Sequence, residues 1–152
     1  MKIRPYQKSD AEAAARVYRD AATNIGCTAY DAEQVRIWAL YPDDMEEFRS
    51  RLSCGRTLVA EEESTLVAFG QLEPIDHIAF LYCASAFSRR GIASAIYLQL
   101  EQQALKAGVR ALTTNATRVS RSFFEKKGFV VLAAERPLRL GVEFERFKME
   151  KK

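Results

Sequence analysis

The stretch Ser88-Arg89-Arg90-Gly91-Ile92-Ala93-Ser94 lies between a strand-like run, His77-Ile78-Ala79-Phe80-Leu81-Tyr82-Cys83, and a helix-like run that continues to Lys106. A chain that needs only to turn has Asn-Gly or Pro-Gly available and no use for two adjacent positive charges. A strand, a tight basic turn and a long helix together make an anion site. The helix N-terminus presents unpaired N–H groups and the positive end of its dipole. Small residues at Gly91 and Ala93 let a ligand approach the backbone, and arginines at the rim pair with phosphate oxygens in bidentate fashion.

Working outward, residues 2–6 read as a short first strand, with Pro5 marking an edge or an early end. Ser9 or Asp10 caps the next helix, with Glu12 at capping-box spacing from Ser9. That helix, over residues 11–25, carries Ala14, Val17, Tyr18, Ala21 and Ile25 on one face and ends at Gly26. Asp31 caps a second helical run that stops at Tyr41-Pro42, and a third piece from Asp43 puts Met45, Phe48 and Leu52 on one face. Residues 56–62 and 65–74 form a hairpin about Glu63-Ser64, and the nearly unbroken apolar character of 77–83 makes that strand central. Downstream, the helix of 91–106 is closed by Gly108, residues 111–116 are strand-like, 120–128 form a short helix, and 129–135 and 142–150 supply two final strands. The order β-α-α-β-β-β-α-β-α-β-β predicts an α/β (α+β) domain with a mixed sheet flanked by helices.

The 152 residues are expected to form one domain, residues 1–152, and 48% hydrophobic with 28% charged residues suits a globular protein. No apolar run approaches the roughly 20 residues of a membrane span, and the first residues lack the apolar core of a secretory signal. The expected location is the cytoplasm, with no membrane partner. Cys27, Cys54 and Cys83, with the single histidine His77, offer no zinc-ligand spacing, so reduced cysteines and no metal are expected. A net charge of +3 is mild, and the aromatics sit in apolar runs rather than between basic residues, which argues against a nucleic-acid partner.

The spacing of residues 88–93 resembles the acyl-CoA motif Gln/Arg-x-x-Gly-x-Gly/Ala of the GNAT N-acetyltransferases, with Ser88 departing at its first position. Residues 3–21 resemble that family's opening strand and helix, and 56–74 resemble its second and third strands. The stretch Thr117 to Phe129 resembles its late segment ending in F-Y-E-K-x-G-F. The chain thus resembles the GNAT family in order over essentially its whole length. Tyr30, Gln34 and Trp38-Ala39, with Leu72-Glu73-Pro74 and a closing Gly141-Val142-x-Phe144-x-x-Phe147-x-Met149-Glu150-Lys151, resemble the YafP-like bacterial branch.

The resemblance implies a GNAT acyl-CoA N-acyltransferase fold. Its mostly antiparallel sheet of six to seven strands would splay between 77–83 and 111–116. It implies acetyl-CoA as co-substrate, its phosphates held at Ser88, Arg89, Arg90, Gly91, Ile92, Ala93 and Ser94. The pantetheine arm would lie along Leu81, Tyr82 and Cys83, near Thr117, Ser120 and Phe124. Phe124 stands where the family usually has a tyrosine general acid, leaving water, Ser120 or Tyr82 for that role. Glu73 and His77 are candidate bases, Glu73 ahead of His77, with Asp76 a further option. Cys83 reads as a small buried hydrophobe before it reads as a nucleophile, because no adjacent base is visible. Tyr30, Gln34 and Trp38 share a helical stripe that is either core or a wall of the acceptor pocket. The implied activity is direct acetyl transfer to an amine of a small molecule or peptide. The alternative is a non-catalytic acyl-CoA-binding or regulatory module. The acceptor's identity stays open, as does the choice between a monomer and a homodimer.

Overall fold

The computed structural model describes residues 1–152. Strand β1 (Lys2–Pro5) leads into helices α1 (Ala11–Asn24), α2 (Ala32–Ala39) and α3 (Met45–Ser53). Strands β2 (Arg56–Glu62), β3 (Thr65–Leu72) and β4 (His77–Cys83) then meander antiparallel before helix α4 (Ile92–Lys106) crosses to β5 (Leu112–Ala116). Helix α5 (Arg121–Lys126), β6 (Val130–Glu135), a small hairpin of β7 (Leu138–Arg139) and β8 (Val142–Glu143), and β9 (Arg146–Lys151) complete the chain. The main sheet has seven strands in the order β1-β2-β3-β4-β5-β9-β6. The expected mixed sheet is present.

Three sequence expectations shift locally. The run 142–150 is not one strand: Leu140 and Gly141 both take left-handed backbone, which folds β8 back on β7, and the sheet strand starts only at Arg146. The third helical piece is capped by Asp44, whose carboxylate accepts the Glu47 N–H at 3.1 Å, rather than by Asp43. Glu12 takes no part in a cap at Ser9. Instead Asp10 accepts the Gln7 N–H and two bonds from Arg4, each 2.8 Å, tying β1 to the start of α1.

The sheet separates two cores. Helix α4 packs Ile92, Ile96, Leu100 and Ala104 onto one face. Gly70 of β3 permits this approach, since a Cβ there would lie 2.8 Å from the Ile96 side chain. On the other face α1, α2 and α3 enclose an aromatic cluster including Tyr18, Trp38, Phe48, Phe69 and Phe80. Each such ring, once fully buried, contributes about 1.5–3 kcal/mol. Alternation along β4 serves both layers, with Ile78 and Leu81 toward α4 and Phe80 and Tyr82 toward the aromatic cluster. A bulge between the pairs Gln71–Phe80 and Leu72–Ile78 adds Ala79 to the aromatic side.

The seam between β4 and β5 positions the site. These parallel strands pair only at His77–Thr113 and Ile78–Thr114, and the Thr114 hydroxyl donates to the Ile78 carbonyl at 2.9 Å where pairing stops. Beyond that point β4 continues to Cys83 while β5 diverges. The Ala84 N–H donates to Val67 O, so antiparallel alternation assigns Tyr82 and Phe80 to the bonded pairs with β3. The N–H and C=O of Leu81 and Cys83 therefore face the open seam, where they need partners.

Candidate active site

A cavity of about 180 Å³ fills the seam, lined by Leu81, Cys83, Ala93, Thr117, Ser120 and Phe124 among others. Ala93 connects it to the basic turn. There Arg89 and Gly91 both have positive φ, 62° and 80°, and α4 begins at Ile92 with no side-chain cap. The first helical bond within α4 runs from the Ala95 N–H to Gly91 O, which leaves the N–H groups of Ile92, Ala93 and Ser94 free. Two left-handed residues bracketing Arg90 turn this segment into a concave array of donors suited to phosphate. The Arg90 guanidinium stacks over the Phe87 ring at 5.1 Å, and both arginines are exposed at the rim.

Ser88 is the exception in this turn. Its N–H and its hydroxyl both donate to Ser85 O, at 3.2 and 2.9 Å, so they close the loop instead of facing an anion. Asp20 of α1 anchors the same loop, accepting the Ser85 N–H at 2.6 Å and its hydroxyl at 3.1 Å. Burial raises the Asp20 pKa, but these donors and Asn24 outweigh it and leave the carboxyl below its ordinary range. The anchor fixes the far end of β4 against α1.

A second cavity, about 420 Å³, opens on the aromatic side of the sheet and shares Trp38, Ala79, Phe80, Tyr82, Asn115 and Thr117 with the first. Tyr30 and Trp38 line it, as the helical stripe suggested. The Tyr30 hydroxyl donates to Glu145 O at 2.7 Å and accepts the Arg118 N–H at 3.0 Å, and the Trp38 indole donates to the Tyr82 hydroxyl at 3.3 Å. Gln34 does not belong to the wall. Its amide accepts the Asp31 N–H as part of a capping box and donates to Glu143 O at 2.9 Å, so it ties α2 to β8.

Neither candidate base lines either of these two cavities. Glu73 precedes β4, with its carboxylate against Gly55 at the opposite end of the strand from the turn. This end of β4 is still paired, so Glu73 has no route into the open seam. His77 is closer. It shares a strand face with Ala79, two residues and roughly 7 Å along the strand, and Ala79 lines both cavities. Its Nδ1 lies 2.8 Å from the Thr113 hydroxyl, which in turn is 3.4 Å from Asp76 O. If Thr113 donates to Asp76, His77 donates through Nδ1 and keeps the Nε2 lone pair free. Burial holds the imidazole below the ordinary histidine value, the Asp76 charge opposes that shift, and Arg146 reinforces it, so the ring is neutral at pH 7.

Cys83 is not set up as a nucleophile. Burial, then the nearby Asp20 charge, pushes its thiol up to about 11, and the S–H donates to Phe87 O at 3.5 Å. Phe124 is buried between Tyr97, Phe123 and Phe129 while its ring lines the seam. The hydroxyls nearest it in this wall are those of Thr117 and Ser120, 3.2 Å apart, with Ser120 Oγ accepting the Thr117 N–H. Phe124→Tyr adds one oxygen at a position bordering free volume. It is expected to fold with a melting temperature within a few degrees of the parent and to keep the parental turnover or exceed it, as steady-state assay and thermal melts will check.

The lining that sequence reading missed comes from scattered positions: Tyr18, Tyr41, Arg51, Phe80, Arg139 and Phe144. They belong to α1, to α3 and the turn before it, to β4, and to the β7–β8 hairpin and its exit. Only the fold brings them together.

A helix N-terminus with free N–H groups opens beside the seam, and a separate aromatic cavity meets that seam, which leaves room for two ligands side by side. The acetyltransferase (GNAT) domain model matches residues 27–151, and the chain belongs to this family of N-acetyltransferases. It is 28% identical to the N-acetyltransferase YafP of Escherichia coli K12 over 153 aligned residues, spanning 100% of this chain and 96% of that protein. The crystal structure of a GCN5-related N-acetyltransferase from Rhodopseudomonas palustris matches with a TM-score of 0.97 at 29% identity, over 99% of this chain and 94% of that one. The PaiA N-acetyltransferase of Thermoplasma acidophilum, solved in complex with coenzyme A, shares the fold with a TM-score of 0.77 at 23% identity, over 99% and 98% of the two chains.

Proposed function

We propose that the protein transfers an acetyl group from acetyl-CoA, bound in the seam, to an amine bound in the aromatic cavity. The observation that carries this reading is the meeting of the two cavities along Trp38, Ala79, Phe80, Tyr82, Asn115 and Thr117. A donor and an acceptor placed on the two sides of that boundary come into contact without any covalent relay through the protein. Holding them there supplies much of the rate. The free N–H groups of Ile92, Ala93 and Ser94, with Arg89 and Arg90, suit the pyrophosphate, and the seam-facing backbone of Leu81 and Cys83 suits the amides of the pantetheine arm.

The acetyl-CoA thioester supplies the activated acyl group. The N–H groups of the seam polarise its oxygen. Cys83, protonated at neutral pH, takes no part in the transfer. His77 is the base best placed to accept the ammonium proton, through one bridging water, and it replaces Glu73 in that role. Thr117 and Ser120 offer hydroxyls to the departing thiolate where Phe124 has none; a thiolate leaves readily enough near neutral pH to need little more.

The test is acceptor-dependent release of free thiol from acetyl-CoA by the purified protein, screened over a panel of amines. Release that requires an amine, with the acetylated amine recovered, is the expected result. Acetyl-CoA binding without release for any amine would make the protein an acyl-CoA-binding module instead.

A further inference from the structure

Four charged side chains line the aromatic cavity: Arg51, Arg139, Arg146 and Glu145. Arg146 pairs with Glu135 at 3.0 Å, and Glu145 pairs with Arg118 at 2.9 Å and Arg136 at 3.5 Å. These two are accounted for by neighbours. Arg51 and Arg139 enter no ion pair anywhere in the chain. Both stand at Tyr41, Arg51 near its hydroxyl together with Glu47. The Arg139 guanidinium lies over that ring at 4.9 Å, and it faces the hydroxyls of Tyr18 and Tyr82, the second of which is at the seam. Arg139 is presented by β7, so the small hairpin holds a cation over the mouth of the cavity.

We infer that the acceptor is a small amine bearing a carboxylate, which Arg139 and Arg51 bind while the amine reaches the seam. The inference rests on the reading of this cavity as the acceptor site. The half-buried Arg139 guanidinium over the Tyr41 ring has no protein anion within ion-pair distance, so its counter-charge arrives with the ligand, and the exposed Arg51, which meets the Tyr41 hydroxyl alongside Glu47, adds to the positive field. A polycationic amine finds the opposite of what it needs, because Glu145, the one carboxylate in the lining, already accepts from Arg118. The apolar body of the acceptor packs on the aromatic wall, and a 420 Å³ cavity takes a molecule of amino-acid size rather than a folded protein surface.

Trp38, the only tryptophan, lines the cavity, so its fluorescence reads acceptor binding without any turnover. The probes are L-phenylalanine and 4-(aminomethyl)benzoate, each beside its carboxamide, together with 4-(aminomethyl)phenylphosphonate. The carboxylates are expected to bind at least tenfold tighter than the carboxamides, and R139Q and R51Q are each expected to shrink that preference, with acetyl-CoA binding by thermal shift confirming that the variants are folded. In turnover the preference should appear in KM rather than kcat. Equal or tighter binding of the carboxamides, a preference untouched in both variants, or no Trp38 response to any probe would overturn the inference. The phosphonate binding tighter than the matching carboxylate would overturn the choice of carboxylate. Should the carboxylates bind selectively while no amine is ever acetylated, the function proposed above fails and the anion clamp stands.

Discussion

Replacing Gly91 by valine is expected to abolish most of the stabilisation that acetyl-CoA confers. A ligand at about 100 times its dissociation constant adds roughly 2.7 kcal/mol to the native state, an increment that thermal melts resolve readily. Gly91 sits at φ 80° immediately before the free N–H groups of α4, in a conformation that a β-branched residue strongly resists. A Cβ at this position meets nothing within 4 Å, so the ligand-free fold loses only what backbone strain at an exposed turn costs, about 1–3 kcal/mol. The damage falls on the donor array. A full acetyl-CoA shift in the valine variant would show that the phosphates bind elsewhere.

His77→Gln is expected to lower turnover by about 10²-fold, the usual range for a general base, with little change in acetyl-CoA binding. Glutamine keeps a polar group near Thr113 but cannot take up a proton. The pH profile separates a base from a structural residue. In the parent, the rate should rise with pH through a value below the ordinary 6.5 and level off at neutrality, because burial depresses the His77 pKa. In the variant that limb should vanish. The same shift carries a stability consequence: below 6.5 the unfolded chain protonates this histidine while the folded chain resists, so stability falls as pH drops through that region. Glu73→Gln, remote from both cavities, should leave rate and profile close to the parent. The reverse ranking of the two variants would restore Glu73 as the base.

Much of the fold is legible in local pattern because each element carries its own signal. The apolar run of β4, the glycine closing α4 and the Glu63-Ser64 turn are each set by neighbours in sequence. The basic turn before α4 was legible as a turn for the same reason, being contiguous. Ser88 bonds inside the loop, because motif position says nothing of which carbonyl a hydroxyl will find, and here it is Ser85 O. The aromatic cavity was legible only where a helix repeats, at Tyr30 and Trp38. Gln34 shares their stripe yet bonds to β8, a partner 109 residues away that no spacing reveals. Glu73 and His77 lie four residues apart in sequence, but strand extension moves one of them away from the cavities and leaves the other beside them.

The short pairing of β4 with β5 sets an antagonism between durability and use. Further rungs of ladder between these strands would satisfy the backbone groups of Leu81 and Cys83 internally and knit the two halves of the sheet more tightly. On the function proposed above, those same groups are the ones that the pantetheine arm would find vacant. Thr114, whose hydroxyl caps Ile78 O and finishes the ladder, therefore works as a stop that keeps the zip from closing. A sequence optimised only for the resting protein would draw the strands together and close the seam proposed for the co-substrate. The main sheet's shortest join is the place proposed for the thioester.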